Sequence, residues 1–199
     1  MKHYYVLIVL ATVLLAGCEL PTNANMPQPK QAVNQPPMED PFDPDRPPTA
    51  KTLYLMADML SSQGKDAQAE QLYRRTMTQY PEFLPAYNDL ASLLMRQRRI
   101  PEAMNVLKAG LKQNANDPVL LNNIGMCWLI RKQYQNALDY FTKASGVAPD
   151  NTRYRSNMAT ALALMDRFEE ALALYRQILP ENQAQENLRI LRENIDSIK

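Results

Sequence analysis

The chain has 199 residues, enough for one domain of ordinary size, and a formal net charge of only +1. That balance excludes a nucleic-acid partner held by phosphate contacts. Two cysteines (Cys18 and Cys127) exclude a disulfide framework, and a lone histidine at position 3 disfavours histidine-based acid–base chemistry and most transition-metal sites.

Lys2 and His3 precede an apolar run from about Val6 to Ala16. The run is shorter than the roughly 20 residues a spanning helix needs, and a short apolar stretch after positive charge reads as a secretory signal. Its end, Leu15-Ala16-Gly17-Cys18, resembles the lipobox of bacterial lipoproteins. The resemblance implies cleavage before Cys18, a diacylglycerol on its sulfur and an acyl chain on the new amine. Several acyl chains anchor stably where one binds marginally. Glu19 is not the aspartate that favours inner-membrane retention in enteric-type lipoproteins, so the resemblance implies the outer membrane, with the following domain on the periplasmic side. An ordinary signal peptide with a chance cysteine is the alternative. No cofactor is expected beyond this covalent lipid.

Residues 18–49 form the next unit, with nine of the fifteen prolines between 19 and 48 and almost no large apolar residue. Such a stretch cannot build a core and reads as a disordered, partly polyproline tether with a reach on the order of 90 Å. Asp40, Asp43 and Asp45 form a small acidic cluster, but the prolines and the missing glycine turn argue against a calcium loop.

From residue 50 the sequence repeats every 34 positions. Ala69, Ala103, Ala137 and Ala171 keep that interval, as do Ala57, Ala91, Gly125 and Ala159. Leu60, Leu94, Trp128 and Leu162 keep it, and so do Tyr73, Leu107, Phe141 and Tyr175. Within each period the apolar residues fall at helical spacings on two segments. In the first repeat Met56, Ala57 and Leu60 read as the inner stripe, with Gly64 breaking the helix before Ala69, Tyr73 and Thr76. Pro85, Pro101 and Pro118 suit first helical turns, and Asp117 suits a cap, as do Asp150, Asn151 or Thr152 in the fourth repeat. Gly110 stands where Ala144 stands one repeat later, a change expected to loosen its helix by about 1 kcal/mol.

The four columns resemble the tetratricopeptide (TPR) repeat, and the resemblance covers about residues 50–180. Ala115 departs from the pattern where a closing proline is expected, and Pro180 comes early. The expected fold is all-α: an α-solenoid of four helix-turn-helix repeats (50–83, 84–117, 118–151 and 152–181) and a capping helix in 182–199. The cap carries Leu188, Leu191, Ile195 and Ile198 on one face. A signal peptide (1–17) and the tether precede the array.

The resemblance also implies a peptide groove lined by the first helix of each repeat. It places Tyr54, Asp58, Asn88, Ser92, Asn122, Met126, Ser156 and Thr160 there, with Leu129, Ile130, Ala163 and Leu164 one turn on. Asn88, Asn122, Asn123 and Asn157 can donate to and accept from a peptide backbone, or bond within the array instead. Met126, Leu129, Ile130 and Leu164 suit a groove for an apolar partner helix, or the core between repeats. Arg96, Arg98 and Arg99 read as a solvated turn rather than an anion clamp. Cys127 reads as a small buried hydrophobe.

Nothing in the chain supplies a nucleophile–base pair, a metal cluster or a phosphate loop, so a non-enzymatic adaptor is expected, with protein partners and no small-molecule substrate. Among lipid-anchored TPR proteins the arrangement resembles those of bacterial pilus assembly, the pilotins of type IV pili and the lipoprotein of the Tad (tight adherence) pilus. The segment from Asn157 to Ala171 and the Glu-Asn-Leu-Arg helix after Pro180 look more like the Tad member. The resemblance implies work on an outer-membrane secretin, or pilus biogenesis and adhesion. Alternatives are an adaptor for peptidoglycan hydrolases or proteases, and a part of an outer-membrane protein assembly machine.

Overall fold

The structure, a computed structural model, describes residues 47–196. The signal peptide, Cys18, the tether up to residue 46 with its acidic cluster, and Ile198 lie outside the described residues. The described part falls in one compact unit, Arg46–Lys199, which is all-helical over the described residues.

Its helices keep the sequence period. The first helices of the repeats are α1 (Ala50–Ser62), α3 (Leu84–Arg96), α5 (Pro118–Ile130) and α7 (Thr152–Ala163). The second helices are α2 (Asp66–Gln79), α4 (Ile100–Gln113), α6 (Tyr134–Val147) and α8 (Phe168–Arg176), and α9 (Glu181–Asp196) closes the array. Each helix packs on the next in sequence, and α1 also touches α3, as α3 touches α5.

The starts follow from local chemistry. The side chains of Thr49, Asp117 and Asn151 accept from the amides of Thr52, Leu120 and Arg153, satisfying donors that a first turn leaves open. Asn151 therefore caps the fourth repeat. Pro85, Pro101 and Pro118 sit in first turns, where no amide is needed. Pro180 and the turn before it stop α8 at nine residues, five short of the other second helices.

Every hairpin turns through one left-handed residue, at positions 64, 98, 132 and 166. Only the first of these is glycine. Arg98, Lys132 and Asp166 adopt φ near +60° without that help. The amide of the next residue, in each case, donates back to Leu60, Leu94, Trp128 or Leu162, the closing bond of a Schellman turn.

Ala57, Ala69, Ala91, Ala103, Ala137, Ala159 and Ala171 are fully buried, and small residues there let paired helices approach closely. Gly125, in the column of Ala57, Ala91 and Ala159, is the one member of these columns without a Cβ. A Cβ built on it would lie 2.5 Å from Cε1 of Phe141, so the ring of Phe141 fills the place that alanine takes elsewhere. Gly110 is needed for the same reason rather than being a weakness. A Cβ there would meet Leu120 at 2.7 Å and Tyr87 at 3.1 Å.

One expected core residue is not in the core. Met56 is 46% exposed, and Leu53 fills the buried stripe of α1 beside Ala57. Met56 faces the side that a preceding repeat covers in the later repeats, and none precedes α1 among the described residues. At the other end, Ala184 and Ile195 of α9 are buried against Ala159, Leu162, Ala171 and Tyr175, and Leu188 and Leu191 pack at the margin.

Candidate protein-binding wall

The first helices stand side by side, and polar side chains join them across repeats. Tyr54 Oη donates to Asp89 Oδ2 at 2.7 Å, linking α1 to α3. Asn123 donates to Asn88, linking α5 to α3. Asn157 Nδ2 donates to Asn122 Oδ1 at 2.7 Å, linking α7 to α5. Two bonds between sequence neighbours close the gaps. Asn122 donates to Asn123 at 3.2 Å and Asn88 to Asp89 at 2.7 Å. The result is a rail of side-chain hydrogen bonds across all four repeats. All its amides donate in one direction, and the rail ends on the carboxylate of Asp89.

The rail shows one of the two roles open to the asparagines, bonding within the array. Asn122 is only 5% exposed, and both its oxygen and its amide have partners inside the protein. Asn88, Asn123 and Asn157 are likewise bonded to one another or to Asp89. These bonds tie the repeats together, and leaving the buried Asn122 amide unpaired would cost about 1–3 kcal/mol. The ring of Tyr54 stacks edge-on with Phe83 at 5.4 Å, and burial and the Asp89 carboxylate push its hydroxyl well above the ordinary tyrosine range.

Ser92 and Thr160 turn their hydroxyls onto the carbonyls of Asn88 and Ser156 in their own helices, which leaves their oxygens as acceptors. Asp58 is exposed. Met126 and Leu129 are half-buried against the cluster of Ala137, Phe141 and Ala161, so both serve the core and present only an edge to the wall. Leu164 packs likewise on the last cluster, and Ala163 is fully buried. Ile130 is exposed.

The sequence reading missed Val119, which is exposed beside a depression between the starts of α3 and α5. The depression holds about 240 Å³ and is lined by Leu84, Pro85, Asn88, Asp117, Val119 and Leu120. Its signal was available. Val119 lies 34 residues after Pro85 and one turn before Asn122, so it shares the wall with the groove candidates. The wall thus offers a polar rail, an exposed aliphatic residue at each end of α5 and one small apolar pocket. That set suits the side chains of a polypeptide.

The basic run is neither a bare turn nor a clamp. Arg99 lies 2.6 Å from Glu70 and 2.7 Å from Glu102, and Arg74 also binds Glu70 at 2.7 Å. Arg96 reaches back to Ser61 at 3.0 Å and to Asp66 at 3.5 Å. Only Arg98, at the left-handed turn position, is simply exposed. These contacts brace the second repeat against the first. Cys127 is fully buried, and burial pushes its thiol up to about 11. Among the described residues no group of His, Cys, Asp and Glu is arranged to hold a metal, and no helix is long and apolar enough to cross a membrane.

Comparison with known proteins agrees with this architecture. The family model for the tetratricopeptide repeat matches residues 60–122 and 129–195. An uncharacterized protein ycf37 from Cyanophora paradoxa is 24% identical over 149 residues, covering 71% of this chain and 86% of that one. BBS4, a BBSome complex member from Xenopus tropicalis, is 27% identical over 105 residues, which is only 20% of its length. Among solved structures, MamA from Desulfovibrio magneticus RS-1 superposes with a TM-score of 0.58 at 17% identity, over 68% of this chain and 77% of that one, a likeness of fold. With the family model matching well over half of its residues, the chain belongs to the tetratricopeptide repeat family.

Proposed function

We propose that this protein is a lipid-anchored adaptor whose repeat array holds a segment of another envelope protein. The observation that carries the reading is the wall of the third repeat. Val119 is exposed at the start of α5 beside a small apolar pocket and Ile130 is exposed at its far end, while the asparagines between them bond to one another across the repeats. Exposed aliphatic side chains on a wall whose asparagines bond to one another favour an apolar partner segment read through side-chain shape. Repeat arrays of this kind bind proteins rather than transform small molecules.

The finer reading rests on the sequence. The Leu-Ala-Gly-Cys18 ending supports acylation and an outer-membrane position, with the proline-rich tether as a spacer. The resemblance to pilus-assembly lipoproteins supports a secretin or a pilus subunit as the partner.

Photocrosslinking in living cells tests this. A photoreactive residue at Ile130 or Val119 should capture a secretin or pilus subunit, whereas Asn122, being buried, is a poor site for the probe. Recovery of cell-wall hydrolases alone would reject the pilus reading and favour the envelope-enzyme adaptor. Separately, Cys18→Ala should release the protein from the membrane fraction with its helical content unchanged. Undiminished membrane association would refute the anchor.

A further inference from the structure

The second helices carry a hole of their own, between the last turn of α4, the loop after it and the second half of α6. It holds about 530 Å³. Its lining is apolar in depth, with Leu121 buried and Leu111 and Tyr140 half-buried, while Asn116, Lys143 and Val147 line it as exposed residues.

Two departures from the repeat open this hole. Leu121 stands in the column of Tyr87, whose ring is buried one repeat earlier, and a leucine reaches less far. Ala115, which also lines the hole, stands where Pro81 and Pro149 stand in other repeats. Tyr140 is larger than Val106, its column-mate, yet the gap remains.

The charge around the hole has one sign. Lys143 holds its ammonium 4.9 Å from the centroid of the Tyr140 ring. Lys112, next to Leu111, and Lys108, one turn before it, are exposed, and none of the three lysines is in an ion pair among the described residues. Second-helix arginines elsewhere are matched, since Arg74 and Arg176 each lie 2.7 Å from a glutamate. No carboxylate lines the hole. Asp117, beside Asn116, is turned onto the amide of Leu120, and Asp139, beside Tyr140, accepts from Gln135 at 2.9 Å. Asp150 holds the place of Asn116 one repeat on, in the next loop.

We infer that this hole receives an aromatic side chain of a partner protein whose neighbouring residues are carboxylates. The ring lies against Tyr140 and the two leucines, which favour an offset or edge-on partner. The flanking carboxylates meet Lys143 and Lys112, complementing a charge that the chain leaves unmatched. Asn116 can hold the partner's backbone as donor or acceptor. An anionic lipid surface would satisfy the lysines but leave the recess empty, so the recess favours a protruding side chain. This surface is built on α4 and α6 rather than on the wall, and it does not depend on the partner assigned to that wall.

The test uses the purified full chain in detergent and the fluorescence anisotropy of a dye-labelled peptide in which one phenylalanine has an aspartate on each side. Binding should be saturable at low salt and weaken as salt is added. Replacing the peptide's aspartates by asparagine, or its phenylalanine by alanine, should weaken binding at least tenfold. Lys143→Glu should do the same, and so should Ala115→Trp, which fills the hole from the loop. Both positions are exposed, so helical circular dichroism should not change. Ile130→Asp, on the wall, should leave the affinity as it was. Absence of saturable binding overturns the inference, as does equal binding of either control peptide or indifference to Lys143→Glu. Loss with Ile130→Asp would move the peptide to the wall and overturn it too. Lysine-dependent binding of phosphatidylglycerol vesicles without binding of the peptide would overturn it in favour of a lipid surface.

Discussion

Asn157 donates its side-chain amide to the carbonyl oxygen of Asn122 at 2.7 Å, tying the fourth repeat to the third. Asn122 passes the same kind of bond to Asn123, and Asn123 to Asn88 in the second repeat. Each amide is polarised by the one behind it, and the last donor meets a carboxylate, the strongest acceptor available. Asn122→Ala removes one acceptor and one donor from the middle of this rail. The variant should lose about 1–3 kcal/mol, the cost of leaving buried partners unpaired. Urea denaturation followed by circular dichroism measures it. A double-mutant cycle with Asn157→Ala should show coupling, and strict additivity would mean that the rail is ornamental.

Gly125 and Phe141 make a second local pair with a sharp consequence. Gly125→Ala places a methyl 2.5 Å from the ring and should cost about 1–3 kcal/mol through overpacking. Phe141→Leu in the same molecule should recover most of the loss, since Ala91 and Leu107 pack that way in the second repeat. Gly146 offers the contrast. Nothing lies within 4 Å of a Cβ there, so Gly146→Ala should stabilise by about 0.5–1 kcal/mol. Thermal unfolding of the three variants separates a packing glycine from an idle one.

The period carried the fold because helix pairing here depends on four residues per repeat that the sequence keeps in register. What the period could not show is which copy of a column has a neighbour. Met56 and Leu90 share a column, yet one is exposed and the other fully buried, because burial depends on the preceding repeat. The asparagines were visible as residues but not as a rail, since the bonds join positions 35 apart, one beyond the repeat. The small columns also misled at Gly110. Its apparent defect is a fit to Leu120 and Tyr87, which only three-dimensional contact reveals.

The left-handed turn column supplies an engineering test. Gly64 meets its φ of +73° freely, whereas Lys132 holds +59° with a full side chain. A side chain in that region costs on the order of 1 kcal/mol. Lys132 is exposed, so Lys132→Gly removes little packing. The variant should be more stable by up to about 1 kcal/mol, less the entropy that glycine adds to the unfolded chain. A lower unfolding midpoint would show that the lysine side chain holds the turn through contacts of its own.

Acid should loosen the first two repeats through Glu70. The hydrogen bond from Arg99, helped by Arg74, holds its carboxyl below the usual glutamate range against the opposing effect of burial. The unfolded chain therefore takes up the proton first as pH falls, and the native state loses its advantage. The contribution is complete above the unfolded value near 4.5 and fades as pH drops through the lower, folded one. Glu70→Gln should accordingly be less stable than the parent at pH 7, with the gap narrowing below about pH 4.5. Urea midpoints across pH 3–7 would show this, and a gap that stays constant would remove Glu70 from the acid response.

Cys127 gives a reporter for the cohesion of the central repeats. It is fully buried against Met95, and its thiol is raised to about 11, so access and thiolate fraction both oppose reaction. In a Cys18→Ser background, a neutral-pH disulfide reagent should leave the native protein unlabelled over minutes. Denaturant should expose the thiol together with the loss of helical signal. If labelling instead runs ahead of helix loss, the joint between α3 and α5 opens before the hairpins melt. The array would then come apart repeat by repeat, as a chain of nearest-neighbour contacts can. Repeating the measurement with Asn122→Ala decides between the two outcomes. A rail that binds the repeats together predicts faster labelling at the same helix content, and an unchanged rate would confine its role to the asparagines themselves.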